Sequence, residues 1–383
     1  MYRFDAEKTN ESPRFDHILI ACILLLTGIG MVTLYSASYY FAVNFKGNGL
    51  FFTIRQLIFG GLGIVLFFVM SRIDLEKMRK FVKPLVFISF ALCILTFIPG
   101  IAYVRNGASR WIGIGGMTYQ PSEMAKFVLP LYLAHYFDKK RDSLDDLLKG
   151  IIPPVLVCAL FFIIIYKQNN FSTAVFIVLN ALVVFWLAGV KPKFFLSVVA
   201  IFLPLSVILG LSKEHRMLRI KSFLWPQLEP LGASYQVRSS LLTIRAGGFW
   251  GKGIGHGTRK IASVPEIHSD FIYSAFAEET GYIGVLLFFV IFLVFAIRGY
   301  RAALRGDSAF KQLLAASLVT VIVSQVLVNV AVVSGALPPT GIPLPFFSAG
   351  GSSLFTTLIC MGLIVNVSRS SAKESVTEGV YVN

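Results

Sequence analysis

The chain has 383 residues, of which 56% are hydrophobic and 14% charged, and its mean hydropathy is +0.73. Soluble domains carry roughly 25% charged residues, so the composition excludes an ordinary soluble enzyme and points to a chain that crosses a bilayer many times. The net charge of +15 would suit nucleic acid, but the cations flank apolar runs instead of forming one patch, and nucleic acid is not an expected partner.

Ten apolar runs can each span a bilayer: residues 17–41, 53–70, 84–104, 121–137, 150–166, 170–189, 193–212, 271–298, 310–335 and 349–368. The expected fold is therefore an all-α polytopic membrane protein with ten transmembrane helices. The polar leader, residues 1–16, is mixed in charge, and the run after it is too long for a secretory signal. With the N-terminus placed in the cytoplasm, the cytoplasmic side collects roughly twenty Lys and Arg residues and the short outer loops about five. The tails 1–16 and 369–383 are thus expected in the cytoplasm, on either side of a membrane domain 17–368, with the cytoplasmic (inner) membrane as location. Cys22, Cys93, Cys158 and Cys360 fall in four different runs with no CxxC spacing, and read as small apolar residues, neither a disulfide set nor a metal site.

Three connections stand out along the chain. RNGASRWIGIGGMTYQPSE, residues 105–123, carries Arg110 and Trp111 and enters the fourth run through Gln120, Pro121 and Ser122. Residues 213–269, between the seventh and eighth runs, form a long loop with nine Lys and Arg residues and with aromatic residues throughout. It is expected to be structured, extracytoplasmic and packed on the membrane domain. ALPPTGIPLPFFSAGGSS, residues 336–353, is apolar but contains Pro343 and Pro345 among several Pro and Gly residues. It cannot form a regular helix, so at membrane depth it must be shielded by protein or line a cavity.

Within these segments the ionisable residues are the candidates for chemistry. Glu123 and Lys126 lie three apart on one helix face. Either they form a local ion pair, or Lys126 faces a cavity and holds a phosphate. The run GGFWGKGIGHGTRK, residues 247–260, lacks the spacing of a nucleotide loop. It is a tightly turning loop, or a site where backbone N–H groups with Arg245, Arg259 and Lys260 meet an anionic headgroup. VPEIHSDFIYSAFAEETGYIG, residues 264–284, brings His268, Ser269, Asp270, Glu278 and Glu279 to the start of an apolar span. Ser269 or Asp270 could cap that helix, or Asp270 could act in catalysis. Glu278 and Glu279 cannot face lipid and need cations, with Arg245 or Lys126 as candidates.

The pieces YSAS at 35–38, NGASRWI at 106–112, QPSEMAK at 120–126, PLGASYQ at 230–236, GGFWGKGIGHGT at 247–258, PEIHSDFI at 265–272, EETGYIG at 278–284 and TGIPLPFFSAGGSS at 340–353 occur in an order and spacing that resemble the SEDS family (shape, elongation, division and sporulation). The resemblance covers residues 15–368. NGASRW and the GIGMV run before YSAS look more like the FtsW, or division, branch than the RodA branch. The resemblance implies a ten-span peptidoglycan glycosyltransferase that joins lipid II into β-1,4 glycan strands on the outer membrane face, with Asp270 as the essential aspartate. It also implies a class B penicillin-binding protein transpeptidase and division or elongation proteins as partners. In that reading Asp270 is the general base, and Lys126, Arg110 or Arg245 stabilises the leaving pyrophosphate. Glu123, His268 and Ser269 are expected near substrate, Glu278 and Glu279 behind the reacting groups. No cofactor is certain from the motifs, and a divalent cation, Mg or Mn, could accompany the pyrophosphate. One departure from the family pattern is QNNFSTA at 168–174, where QPDLGTA is common; others are Arg245 and Ala349. Two other classes remain open: a lipid II flippase, and a non-catalytic scaffold for a transpeptidase.

Overall fold

The computed structural model describes residues 15–105, 107–114, 117–225, 233–259 and 265–370. Among these residues twelve longer helices follow one another, with a small sheet between the third and fourth. They are α1 (His17–Lys46), α2 (Phe51–Met70), α3 (Val82–Leu95), α4 (Pro121–Lys139), α5 (Ile152–Lys167), α6 (Phe171–Leu187), α7 (Pro192–Leu211), α8 (Glu214–Leu224), α9 (Ala233–Gly247), α10 (Ile272–Leu304), α11 (Ala309–Val333) and α12 (Gly351–Ser370). Among the described residues seven helices are long and apolar enough to cross a membrane, and Phe171–Leu187 is a shorter apolar helix. The chain is a multi-pass membrane protein.

The helix ends follow local chemistry. Asp16 caps α1 by accepting from the Leu19 N–H at 3.0 Å, and Gly47, at φ 67, closes it. Pro121 opens α4 at a position where no N–H is needed. Asp16 also takes the Arg298 guanidinium at 2.7 Å, tying the start of α1 to α10. Helix α2 packs on α12, α10 on α1 and α11, and α4 on α3 and α11. The largest buried cluster runs through α1, α10, α11 and α12, and a second lies between α4, α5 and α6.

Two expectations need correction. The run 84–104 is not one helix: α3 stops at Leu95, and the chain turns through Pro99 and Gly100 (φ 89). Nor is the fold purely α. Residues Ala102–Arg105 (β1), Ala108–Ile114 (β2) and Met117–Tyr119 (β3) form an antiparallel sheet in the order β1-β2-β3. The cause is local: Gly-rich turns separate short stretches of aromatic and β-branched residues, which suit a pleated, half-buried surface.

Within 213–269 the described residues include two helices, α8 and α9, and α9 packs on α10. Residues 226–232 and 260–264, which include Lys260 and part of PLGASYQ, lie outside the described residues, as do Asn106, most of the N-terminal tail and nearly all of the C-terminal tail.

Helix α10 is broken at Gly281, whose backbone (φ 64, ψ −165) is open in practice only to glycine. A Cβ there would lie 2.2 Å from the Gly251 nitrogen. The break therefore comes from a backbone-to-backbone approach of the Gly-rich loop, and needs no proline.

Candidate functional site

The segment Glu266–Phe271 leads into α10 as a series of turns. Helix α10 starts at Ile272, and its N-cap residue, Phe271, offers no side-chain acceptor. The segment before it is held through its backbone. Asn329 on α11 donates from Nδ2 to the carbonyls of Asp270 (2.8 Å) and Ile342 (2.9 Å). The Ser348 hydroxyl donates to the Ser269 carbonyl at 2.7 Å and accepts from the Leu344 N–H at 2.7 Å. The Ala349 N–H donates to the His268 carbonyl at 2.9 Å. Gln325 donates to the Pro343 carbonyl at 2.8 Å, and Gln56 to that of Ser348 at 3.0 Å. The Pro- and Gly-rich segment is thus shielded by protein, and its carbonyls find side-chain donors that a helix would have made unnecessary.

These elements wall a cavity of about 1000 Å³. Phe41, Phe45, Phe51, Phe52, Phe59 and Trp111 contribute aromatic surface, and Lys46, Arg55, Arg110, Lys213 and Arg219 contribute positive charge. Asp270, Glu266, His268, Ser269, Gln120 and Pro343 also line it. His268 is buried and sits between the rings of Phe41 and Phe52, at 4.7 and 4.6 Å. The Ser269 hydroxyl donates to Glu266 Oε2 at 3.1 Å.

Asp270 and Arg110 meet across Gly341. A Cβ at Gly341 would lie 3.5 Å from Asp270 Oδ2 and 3.8 Å from Arg110 Nη1. Burial, followed by the charge of Arg219, lowers the Arg110 guanidinium to about 10, while Asp270 acts in the opposite sense. Arg219 is lowered as well, first by burial, with Asp270 raising it. Both arginines remain charged at neutral pH, and both are half-desolvated cations beside one carboxylate. An anionic group entering the cavity would offset the cost of that desolvation with charge-assisted hydrogen bonds.

The other predicted residues separate from this centre. Lys126 does not line the cavity; it is buried against Glu123 Oε2 at 2.7 Å and donates to Gln325 Oε1 at 3.1 Å. Pro121 and Ser122 are buried at the start of α4, where the Ser122 hydroxyl accepts from Gln120 at 3.0 Å. Pro345 is buried and does not line the cavity. Arg245 is exposed in the last turn of α9 and away from the cavity wall.

Glu278 and Glu279 take partners other than the expected Arg245 and Lys126. Glu278 Oε1 accepts from the Arg259 N–H at 3.0 Å and lies 3.7 Å from Lys252 Nζ. Glu279 Oε1 accepts from the Ser36 hydroxyl at 2.5 Å and from the Gly255 N–H at 3.0 Å. The two carboxylates hold the Gly-rich loop onto α10 and α1. The Lys252 and Gly253 N–H groups add bonds to the backbone carbonyls of Glu278 and Glu279, both at 3.0 Å.

Several residues that shape the cavity were not singled out from the sequence: Lys46, Arg55, Lys213, Arg219, Asn169, Gln56, Gln325, Asn329 and Ser348. For Gln325 and Asn329 a signal existed, since two amides four apart in an apolar span share a face and need partners. Among the described residues no three His, Cys, Asp or Glu side chains are grouped to hold a metal ion.

The profile of the cell cycle protein family FTSW_RODA_SPOVE matches residues 16–373. A probable peptidoglycan glycosyltransferase FtsW from Geobacter sp. (strain M18) is 36% identical over 354 residues, covering 92% of this chain and 96% of that protein. The stage V sporulation protein E of Bacillus subtilis (strain 168) is 36% identical, covering 93% of this chain and 97% of that one. Among solved structures, a chain of a peptidoglycan synthase complex, studied for the coordination of polymerization and crosslinking, superposes with a TM-score of 0.76 at 25% identity, covering 94% of this chain and 99% of that one. A point variant of the rod shape determining protein RodA of Thermus thermophilus gives 0.68 at 25% identity, with the same coverage.

Proposed function

The chain belongs to the FtsW, RodA and SpoVE family of cell cycle proteins, and we propose that it is a peptidoglycan glycosyltransferase polymerising lipid II for septal synthesis. The observation that carries the reading is Asp270, with Glu266 the other lining carboxylate, set among Arg110, Arg219, Lys213, Arg55 and Lys46 in a cavity walled by aromatic rings. A lipid-linked diphosphate sugar requires that combination: cations for the diphosphate, aromatic faces for the sugar and lipid, and a base.

The donor is a glycan strand joined through its anomeric carbon to a polyprenyl diphosphate, and the acceptor is the 4-hydroxyl of lipid II's terminal sugar. Asp270 takes the proton of that hydroxyl as it attacks. Attack opposite the leaving group inverts the α linkage to β. The C–O bond to the diphosphate breaks, and Arg110 and Arg219 stabilise the charge that develops on its oxygens. The departing diphosphate is a good leaving group and needs no strong acid. Among the described residues no group of three His, Cys, Asp or Glu could hold a metal; a Mg or Mn ion carried on the diphosphate oxygens would be substrate-borne, and no step here runs through it.

In this reading ten helices cross the membrane: α1 to α7 and α10 to α12. Both tails are cytoplasmic, and the loop 213–269 and the cavity face outward in the inner membrane, as the Lys and Arg distribution favours. The partner is a class B penicillin-binding protein, supported by the likeness to a chain of a complex that couples polymerization with crosslinking.

The test is polymerisation of lipid II by the detergent-purified protein with its transpeptidase. Asp270→Asn keeps size and backbone contacts and removes the base, so it should fold as wild type and make no strands. Strand synthesis at a near-normal rate by the Asn variant would refute the assignment.

A further inference from the structure

The turn between α5 and α6 reads Gln168-Asn169-Asn170. Gln168 ends α5, and Asn169 has φ 60, in the left-handed region. The Asn169 N–H donates to the Tyr166 carbonyl at 3.1 Å and the Asn170 N–H to the Ile165 carbonyl at 3.3 Å. This pair of bonds is a Schellman closure, whose left-handed position favours glycine and tolerates asparagine. A closure alone would explain the backbone angle. It leaves unexplained what the rest of Asn169 does.

Every other polar group of Asn169 reaches toward the cavity wall. Its Oδ1 accepts from Lys213 Nζ. Its Nδ2 donates to the Gly107 carbonyl at 2.8 Å, holding the turn before β2. Its carbonyl accepts from Arg110 Nη2. One residue therefore joins the strand that carries Arg110, the start of the loop that carries Arg219, and the α5–α6 turn. Two anchors fix the turn itself: Gln168 is fully buried and donates to the Cys93 carbonyl and Thr96 hydroxyl at 3.0 Å, and Asn170 donates to the Ser122 hydroxyl at 3.4 Å.

Arg110 has few other constraints. Its Nε is buried with no hydrogen-bond partner among the described residues. With Nη2 on the Asn169 carbonyl, Nη1 is the guanidinium nitrogen closest to the Gly341 gap that Asp270 borders. A guanidinium is a rigid planar fork, so fixing one nitrogen fixes where the others point. An extended or helical backbone at position 169 would turn the carbonyl away, and the guanidinium would lose its only described acceptor.

We infer that Asn169 is a positioning residue: its carbonyl, presented by the left-handed backbone, aims Arg110 at the diphosphate beside Asp270. The inference rests on the glycosyltransferase reading above, in which Arg110 meets the leaving group. Asn169 itself touches no reacting atom.

The experiment measures lipid II polymerisation and thermal unfolding for Asn169→Gly, Asn169→Val, Arg110→Met and the Asn169→Val/Arg110→Met double variant, with Asp270→Asn as control. Glycine keeps the left-handed carbonyl and should retain most of the rate. Valine cannot hold φ 60 and should lower kcat roughly tenfold or more, the size expected for loss of a charge-assisted hydrogen bond. The double variant should be no slower than Arg110→Met alone, because both changes remove one interaction. If valine prevents folding, Asn169→Ala makes the same comparison with a smaller backbone penalty. Losses that multiply in the double variant, or a glycine variant as slow as valine, would overturn the inference while a dead Asp270→Asn left the polymerase reading standing. An active Asp270→Asn would remove that reading first.

Discussion

Lys126→Met provides the sharpest test of the buried polar groups. Lys126 and Glu123 are 6% and 3% exposed and 2.7 Å apart. At that distance, with an effective dielectric constant near 20, their attraction is roughly 6 kcal/mol before desolvation is counted. Removing the lysine leaves a carboxylate inside the bundle with no cation, which costs about 3–5 kcal/mol when one partner of a buried pair is lost. Gln325 would also lose the donor now on its Oε1. The assay is thermal unfolding in detergent, read alongside polymerisation. Lys126→Met and Glu123→Gln should each lower the midpoint, and the double variant should recover most of it, because no buried charge remains. Activity should follow the same pattern, since Gln325 also holds Pro343 in the cavity wall. A Lys126→Met protein that melts like wild type, makes no strands and is not rescued by Glu123→Gln would show that the lysine meets substrate and that the ion-pair argument is wrong.

Gly281→Ala should be poorly folded, because its Cβ would lie 2.2 Å from the Gly251 nitrogen and its backbone angles alone cost about 1–3 kcal/mol; a stable, active variant would contradict the described break in α10. Gly341→Val should fold but lose most polymerisation, because its side chain would enter the gap between Asp270 Oδ2 and Arg110 Nη1; an unchanged rate would mean that substrate does not use that gap. Cysteine at Ile254 should react with an impermeant thiol reagent on intact cells, and cysteine at Leu304 should not; both sites are exposed and the four native cysteines are buried. The reverse pattern would place Asp270 on the cytoplasmic side.

The helices were legible because their apolar runs are long: 53–70 became Phe51–Met70, and 310–335 became Ala309–Val333. What hydropathy hides is a change of backbone inside an apolar run. Residues 84–104 are apolar almost to their end, yet α3 stops at Leu95 and a strand begins at Ala102. The break at Gly281 was hidden for a related reason: its cause is Gly251, thirty positions away in sequence. Asp270 was legible as a residue of interest, as a helix cap or in catalysis, but its surroundings were not. Only the tertiary contacts reveal that Asn329 and Ser348 hold the backbone carbonyls of Asp270 and Ser269. Lys126 drew attention as a cation in a span, and its partner Glu123 was in plain view. Arg219 and Lys213 passed unnoticed because they stand among nine cations in one loop, where charge alone ranks none above another.

The way Asp270 is held bears on what it can do. Here the positioning passes through the main chain: Asn329 grips the Asp270 carbonyl, Ser348 the Ser269 carbonyl and the Ala349 N–H the His268 carbonyl. The backbone so held places the Asp270 side chain on the cavity wall, near Arg110 and Arg219. Gln325 joins this frame to the Glu123–Lys126 pair, and Asn169 joins Arg110 to the opposite wall. Changes at these positions should act on the rate through placement. Asn329→Leu is the clearest case: it nearly keeps volume, removes both carbonyl grips, and should lower kcat far more than it raises KM, because an acceptor hydroxyl still binds but meets a displaced base. A variant whose KM rises with kcat unchanged would show that Asn329 shapes the cavity and leaves the position of Asp270 alone.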